Sequence, residues 1–195
     1  MNKNHRSRLR GEKANDDHED IQDLIGDEVD SETAERIFER FMDSHLDNLP
    51  ILAFSPGTKA TYVRESRPLL YLAILAVAGT SHLPATVIRK LFKALQTRIA
   101  EDVLVKGHKS IEHVQVLQTA CFWYKPASTF QKHTFYQLLN MAANMAIELG
   151  LGRPGSRNRL MSSDDQDPYL HWVLPNPDSI ECRRAWLVCY YCCTW

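Results

Sequence analysis

Four of the five cysteines in this 195-residue sequence lie close together near its end, in the pattern Cys182-x6-Cys189-x2-Cys192 with Cys193 adjacent. Cysteine thiolates can bind zinc, but a zinc site needs about four ligands that converge tetrahedrally, and these usually come from turns. The intervening residues, RRAWLV, are typical of a packed helix instead. Cys182, Cys189 and Cys193 then share one helix face, where cysteine acts as a small hydrophobic side chain. We therefore predict no metal-binding residue among them.

Two further segments look like ligand-binding motifs. Residues 16–20, DDHED, resemble the aspartate-rich magnesium motif of all-α terpenoid synthases, but they lie in an acidic segment with few apolar residues, which favours a solvated charge run. Residues 150–155, GLGRPG, match G-x-G-x-x-G. A dinucleotide site needs that motif after a strand and before a helix. Here the motif follows a helical pattern, so Gly150 is predicted to be a helix C-cap.

The eight histidines are scattered, and no Ser/His/Asp or Cys/His arrangement argues for nucleophilic catalysis. The prediction is therefore that the chain has no catalytic, cofactor-binding or metal-binding residue and is not an enzyme.

The elements that would position any such residues are helices. Apolar residues recur at spacings of three and four, and no strand pattern competes with them. We predict an all-α fold, an irregular helical bundle, with residues 50–66 and 151–179 as loops. The segment that starts at Pro68 is apolar almost all round and is expected to be central. The predicted helices run from Ser31 as N-cap to Pro50, from Pro68 to Gly79, from Pro84 to Gly107, from Ser110 to Tyr124, across 135–149, and from about Ser179 onward.

The charge is segregated at the N-terminus. Residues 1–13 hold five Lys/Arg and one acid, and residues 14–35 hold ten acids and no Lys or Arg. With few large apolar side chains, residues 1–30 are predicted to be a disordered, basic-then-acidic leader that adds little to stability. The basic run Arg6-Ser-Arg-Leu-Arg10 fits a nuclear import signal or nucleic-acid contact and a solvated tail equally well.

The remaining composition excludes some classes of protein. The sequence has no secretory signal and no apolar run long enough to span a membrane. Its cysteines form no disulfide framework, which favours a reducing compartment.

Six stretches together resemble the fungal-specific transcription factor domain, the middle homology region of binuclear zinc-cluster regulators. They are residues 34–41 (AERIFERF), 49–52 (LPIL), 67–78 (RPLLYLAILAVA), 110–124 (SIEHVQVLQTACFWY), 141–151 (MAANMAIELGL) and 181–190 (ECRRAWLVCY). Each is mainly a core pattern, and their order and spacing carry the resemblance. It implies that residues 31–195 are a partial domain of this family, truncated at the C-terminus.

The family's DNA-binding module has six cysteines in two Cys-x2-Cys-x6-Cys arms that hold two zinc ions. No such pattern precedes residue 121. The resemblance therefore implies no cofactor in this chain, with zinc expected only in the absent module.

By resemblance the chain is a transcription regulator of the nucleus, without sequence-specific DNA binding of its own. The expected partners are proteins, either a dimer partner or the transcription machinery, with DNA reached only through the missing zinc module. A small-molecule effector is compatible with the family, and a membrane is not expected. In Arg183-Arg184-x-Trp186 the resemblance implies that one arginine pairs with a carboxylate and that Trp186 packs inward.

Two alternatives stay open. One is an all-α enzyme with metal-dependent or hydrophobic-pocket chemistry. The other is a free-standing dimerisation or interaction module that pairs with a full-length regulator. An enzyme of this kind would need carboxylates on the core faces of its helices, and none repeat there. The feature that fits an interaction module is the apolar C-terminus, which would need to be covered by another chain.

Overall fold

The computed structural model describes residues 20–123, 134–152 and 175–194, and every regular element in these ranges is helical, which confirms the all-α prediction. None of the helices within them is long and apolar enough to cross a membrane. Two helices, α2 and α5 below, continue directly into π-helical segments. The elements are α1 (residues 20–28), α2 (Ser31–Arg40, then Phe41–Leu46), α3 (Ala60–Ser66), α4 (Pro68–Ala78, then a 3-10 turn Gly79–Ser81), α5 (Ala85–Ile99, then Ala100–Val105), α6 (Ile111–Phe122), α7 (Phe135–Glu148) and α8 (Ile180–Cys193).

Helix α4 lies at the centre of the fold. All 11 of its residues are buried. Pro68 occupies its first turn, where a missing backbone N–H is harmless. A helix that is apolar all round cannot face water on any side, and α2, α3, α5 and α6 pack around it. This confirms the prediction that the segment from Pro68 is central.

Helix α7 packs against α6 and α8. Its buried side chains, Leu139, Ala142, Met145 and Ala146, follow the spacings of three and four from which a helix was predicted here. The helix ends as predicted at Gly150, whose φ of +69° lies in the left-handed region that glycine adopts without strain.

The start of α2 differs by one residue from the prediction. Asp30, and not Ser31, is the N-cap, since its Oδ1 accepts a hydrogen bond from the backbone N–H of Thr33 at 2.9 Å. This hydrogen bond lowers the pKa of Asp30. A carboxylate is favoured at this position because it faces the positive end of the helix dipole.

Residues 20–30 belong to the fold, which corrects the prediction that residues 1–30 form a disordered leader. Residues 20–28 form α1, and Ile21, Ile25 and Val29 are buried against the core. Their spacing of four residues places them on one helix face. The sequence analysis judged the apolar residues of this segment too few to offset the entropy of ordering it. Residues 1–19, which include the basic run, lie outside the described residues.

The prediction that residues 50–66 form a loop is also corrected, because residues 60–66 form helix α3. Ala60 and Val63 are buried, and α3 packs on α2 and α4. The helix has only 7 residues and no side-chain N-cap. It therefore lacks the signals that reveal a helix in sequence, and tertiary packing stabilises it. Of the loop predicted at 151–179, residues 153–174 lie outside the described residues.

Because α1 is part of the fold, two substitutions in it should change the free energy of unfolding in opposite directions. Ile25→Ala should lower the free energy of unfolding by about 2–4 kcal/mol, because it empties a fully buried position. Gly26 is exposed, and a Cβ added there meets no atom within 4 Å. Gly26→Ala should therefore raise the free energy of unfolding by about 0.5–1 kcal/mol, as expected inside a helix.

Urea unfolding followed by far-ultraviolet circular dichroism measures both effects. If both variants unfold at the wild-type midpoint, residues 20–28 are not part of the cooperative fold.

Candidate functional site

Two of the four cysteines of α8 lie where the helix meets the core. Cys182 and Cys189 are buried, as predicted, whereas Cys193 is exposed. Burial raises the pKa of Cys189 to about 11 and that of Cys121, on α6, to about 12. These two groups are therefore protonated thiols at neutral pH and poor nucleophiles. Within the described ranges, no three His, Cys, Asp or Glu side chains are grouped so that they could hold a metal ion.

The glycine-rich segment forms a helix end and a packing contact. The backbone N–H of Leu151 donates to the carbonyl of Ala146 at 3.0 Å, which closes the last turn of α7 around Gly150. Gly152 lies against the ring of Trp186, so a Cβ there would stand 2.4 Å from that ring. The first two glycines of the motif thus serve helix termination and packing.

The first polar site joins α8 to the core, and the sequence analysis missed it. The Arg67 guanidinium, just before α4, forms a bidentate ion pair with the Glu181 carboxylate, in which Nη2 lies 3.1 Å from Oε2. Gln115 of α6 donates to Glu181 Oε1 at 2.9 Å and accepts from Arg67 Nη1 at 3.1 Å. We call these three residues the Arg67 network. Its hydrogen bond to Glu181 raises the pKa of Arg67.

The same region provides a hydrogen-bond acceptor for the N-terminus of α4. Glu112 of α6 accepts a hydrogen bond from the backbone N–H of Leu70 at 3.0 Å. A helix start leaves backbone N–H groups without partners, and here the carboxylate of another helix supplies one. The signal that could have revealed this site is the presence of Gln115, Gln118 and Thr119 on a fully buried stretch of α6. Buried polar side chains need partners.

Further hydrogen bonds hold α8 in place. Arg184 Nη1 donates to the backbone carbonyl of Leu52 at 2.6 Å, and Gln118 Nε2 donates to that of Ala185 at 2.6 Å. Arg183 pairs with the carboxylate of Asp178 at 3.1 Å on the surface. The implied pairing of one arginine with a carboxylate therefore holds for Arg183. Trp186 is partly buried and packs inward as expected.

The second polar site surrounds Asp102, a buried carboxylate in the π-helical segment after α5. Its two oxygens accept hydrogen bonds at 3.0 Å from Arg98 Nε and Lys106 Nζ. Burial opposes its ionisation, but the neighbouring His113, Lys106 and Arg98 favour the anion more strongly and hold the pKa of Asp102 well below its usual range. The two hydrogen-bonded cations lie one turn before and one turn after Asp102, so the site stabilises the end of α5, and His113 of α6 lies beside it.

Ser110, His113 and Asp102 lie together like a catalytic triad, an arrangement that the sequence did not reveal. Ser110 Oγ is 2.7 Å from His113 Nδ1, but it also caps α6 by accepting from the backbone N–H of His113. His113 Nε2 lies 3.6 Å from Asp102 Oδ2, too far for a hydrogen bond. Since Asp102 is already paired with two cations, the three residues form a structural cluster.

The two faces of α8 differ in an unusual way. The residues that it buries are small: Cys182, Ala185 and Cys189. Apart from Trp186, its large apolar side chains point outward, with exposed fractions of 70% for Ile180, 62% for Leu187, 62% for Tyr190 and 56% for Tyr191. We call these four residues the outer face of α8. Several exposed large apolar side chains on one helix face are typical of a surface that contacts protein.

The Arg67 network predicts a measurable energetic coupling between distant parts of the chain. In a double-mutant cycle with Arg67→Ala and Glu181→Ala, the coupling should be about 2 kcal/mol, since the pair is bidentate and partly buried. The exposed pair Arg183–Asp178 is the matched control and should give about 0.5 kcal/mol. Equal couplings in the two cycles, measured by urea unfolding, would contradict the anchoring role.

The lowered pKa of Asp102 predicts an acid-dependent loss of stability. The unfolded carboxyl takes up a proton near pH 4, whereas the folded carboxyl stays ionised to lower pH. The unfolded state therefore binds more protons in this range, and the free energy of unfolding falls as the pH drops below about 4.

Asp102→Asn should remove that contribution. Near neutral pH the variant should be less stable by about 3 kcal/mol, because Arg98 and Lys106 lose their buried partner. Its stability should also fall less steeply than that of the wild type as the pH drops. Urea unfolding across this pH range tests the prediction, with Asp178→Asn as the exposed control. The same pH profile for wild type and Asp102→Asn would show that Asp102 does not cause the acid sensitivity.

Comparison with known proteins identifies relatives of this chain. Transcription factor pbcR of Emericella nidulans is 30% identical over 89% of this chain and 24% of its own length. Transcriptional regulatory protein SEF1 of Candida albicans is 25% identical over 82% of this chain and 16% of its own length. Transcriptional regulator WAR1 of Candida albicans is 24% identical over 64% of this chain and 15% of its own length. The chain thus spans a quarter or less of the length of these relatives.

No solved structure matches the chain. Residues 35–192 match the family model of the fungal specific transcription factor domain, from the middle of α2 almost to the end of α8. The resemblance inferred from the six sequence stretches is confirmed, and the chain belongs to the fungal specific transcription factor domain family.

Proposed function

We propose that this chain supplies the regulatory helical domain of a fungal transcription regulator, which acts in the nucleus through contacts with other proteins. The observation that carries the proposal is the family match over residues 35–192, together with three relatives named as transcription factors or transcriptional regulators. The outer face of α8 is the surface that we assign to protein contact, because it presents four large apolar side chains to solvent.

The proposal includes no catalytic role. The ionisable groups of the two polar sites are paired with each other, and the thiols of Cys121 and Cys189 are held protonated by burial. Of the acidic motif at residues 16–20, Asp20 is exposed at the start of α1, and the other four residues lie outside the described ranges. These observations support a binding role over the alternative of a metal-dependent enzyme.

We further propose that these 195 residues do not select a DNA sequence on their own. Base readout needs a folded element that inserts into a groove and presents side chains to base edges. The sequence has five cysteines, too few for the six-cysteine module of the family, and none lies before residue 121. DNA would then be reached through a zinc module, and a small-molecule effector would act on the helical domain.

A tethering experiment tests the regulatory role. The full chain is fused to an unrelated sequence-specific DNA-binding domain and assayed on a reporter gene in fungal cells. We expect the fusion to change reporter transcription several-fold relative to the DNA-binding domain alone. Leu187→Glu should abolish this effect without unfolding the domain, because Leu187 is exposed on the outer face of α8.

Two controls make the result interpretable. Tyr136→Glu adds the same charge at another exposed apolar position, on α7, and should leave the effect intact. Immunoblotting and nuclear imaging confirm that each fusion is present and correctly located. A well-expressed nuclear fusion that leaves the reporter unchanged would contradict the proposed function, as would nanomolar, sequence-selective DNA binding by the chain alone in a gel-shift assay.

The outer face of α8 also favours a second candidate function, a free-standing module that binds a longer regulator of the same family. Both functions use the same surface, but they differ in what is bound. Co-purification of a full-length zinc-cluster regulator with the wild-type chain, and its loss with Leu187→Glu, would favour the module. A reporter effect of the tethered chain in cells that lack that regulator would favour the first function.

A further inference from the structure

We propose that Cys121 of α6 and Cys192 of α8 form an oxidisable thiol pair, a modification site at which a hydroperoxide joins the two helices by a disulfide. Both residues are free thiols in the structure. The inference goes beyond the proposed function and depends only on how α8 packs against α6 and on the chemistry of the cysteines.

The first argument is the register of α8 along α6. Gln115 of α6 donates to Glu181 Oε1 at 2.9 Å. Three residues further along α6, Gln118 Nε2 donates to the carbonyl of Ala185 at 2.6 Å and to the sulfur of Cys189 at 3.1 Å. These contacts advance in the same direction along both helices. The residues that follow Gln118 on α6 therefore lie beside those that follow Cys189 on α8.

One further turn of each helix brings Cys121 and Cys192 to the same level. Cys121 follows Gln118 by three residues, and Cys192 follows Cys189 by three. Positions three residues apart share a helix face, so Cys192 continues the side of α8 that contacts α6. The Cys121 thiol lies in this contact region, where it donates to the carbonyl of Phe135, the first residue of α7, at 3.8 Å.

The protonation of Cys121 gives a second indication of this proximity. Burial is the main cause that raises the pKa of Cys121 to about 12, and the next causes are the neighbouring Cys192 and then Cys189. A second thiol raises a pKa in this way only when its sulfur is near, because the interaction between charges falls with distance. Of the two cysteines of α8 that affect Cys121, Cys192 has the larger effect.

The other pairings of Cys192 do not fit the geometry of a disulfide. The Cβ atoms of a disulfide are about 3.5–4.5 Å apart, whereas residues three or four apart in a helix hold their Cβ atoms about 5–6 Å apart. Cys189 therefore cannot pair with Cys192 or Cys193 while α8 stays helical. Cys192 and Cys193 are adjacent and point in directions about 100° apart. Cys182 lies far from Cys192, about 15 Å along the axis. Cys121 is the remaining partner.

Solvent access decides which thiol reacts first. Cys121 and Cys189 are buried, whereas Cys192 is partly exposed. The sulfur of Cys189 also accepts the hydrogen bond from Gln118. A hydroperoxide in solution therefore reaches Cys192 before the other two sulfurs, and the buried Cys121 acts second, from within the α6–α8 contact.

The oxidation proceeds in two steps. The Cys192 thiolate attacks the terminal oxygen of the hydroperoxide, the O–O bond breaks, and the alkoxide or hydroxide that leaves takes up a proton. The product is the sulfenic acid of Cys192. The sulfur of Cys121 then attacks the sulfenic sulfur, so that an S–S bond forms and the S–O bond breaks. The leaving hydroxide takes the thiol proton and becomes water. The two thiols together lose two electrons, and the hydroperoxide gains them.

The pair is suited to sustained oxidation and not to fast sensing. Burial raises the pKa of Cys192, so only a small fraction of this thiol is ionised at neutral pH. We expect the disulfide to form slowly and to form faster as the pH rises. It would close the long segment of chain between α6 and α8, which stabilises the folded state. It would also fix the C-terminal end of α8 to the core.

Peptide mapping of the full chain after exposure to hydrogen peroxide tests the proposal. Free thiols are blocked with iodoacetamide, and the unreduced chain is digested with chymotrypsin, which cuts after Tyr190 and Tyr191 and so separates Cys189 from Cys192. We expect a disulfide-linked pair of peptides that contains Cys121 and Cys192. A disulfide through Cys189, a disulfide that joins two chains, or a Cys121 that stays fully alkylated would overturn the proposal.

Two matched variants distinguish Cys192 from its neighbour. Cys192→Ser should abolish the linked peptides, whereas Cys193→Ser, at the exposed next position, should keep them. Circular dichroism checks that both variants are folded. The opposite result, with the link lost only in Cys193→Ser, would assign the site to the wrong thiol.

Thermal unfolding measures what the disulfide does to the fold. The midpoint of the oxidised wild-type chain should rise by about 5–10 °C and return to its starting value after reduction with dithiothreitol. Cys192→Ser treated in the same way should show no rise. An unchanged midpoint in a chain whose disulfide has been mapped would overturn the inference that it fixes α8 to the core.

Discussion

The burial of α4 on all sides is the constraint on which the rest of the structure depends. No residue of Pro68–Ala78 can face water, and a single helix is stable in that state only when other helices cover its whole circumference. Helices α2, α3, α5 and α6 provide that cover. The short helix α3 exists for this reason, because its two buried residues, Ala60 and Val63, gain their stability from packing and not from helix propensity.

A fully buried helix also brings its polar backbone ends into the core, and the placement of charge follows from this. The backbone N–H of Leu70 needs an acceptor, and Glu112 of α6 supplies it. One turn further along α6, Gln115 binds Arg67 and Glu181, so the residues that serve the start of α4 also attach α8. The segments before α4, in α6 and in α8 therefore meet in one hydrogen-bonded group, although 114 residues separate Arg67 from Glu181.

The parts of the fold that could be predicted from sequence are those whose signal is local. The uniform apolarity of α4, the buried face of α7 and the glycine at its end all follow from residues within one helix. The sequence analysis failed where the signal was weak or distant. In α1 the few apolar residues were too sparse to predict burial. The pairing of Arg67 with Glu181 depends on how helices far apart in sequence come together. The cluster of Asp102, His113 and Ser110 likewise exists only once α5 and α6 are packed.

The amino acids of α8 are distributed in the reverse of the usual amphipathic order, and this connects the fold to its proposed role. Burial of Cys182, Ala185 and Cys189 removes little apolar surface from water, so the inner face contributes less hydrophobic stabilisation than large side chains would. Hydrogen bonds from Arg67, Gln118 and Arg184 provide directional attachment instead. Trp186 and Val188 also pack against the core, whereas Ile180, Leu187, Tyr190 and Tyr191 point outward. The outward side chains stabilise the molecule only when another surface covers them. Helix α8 thus combines polar and apolar attachment to its own domain with an outer apolar face that is available for association.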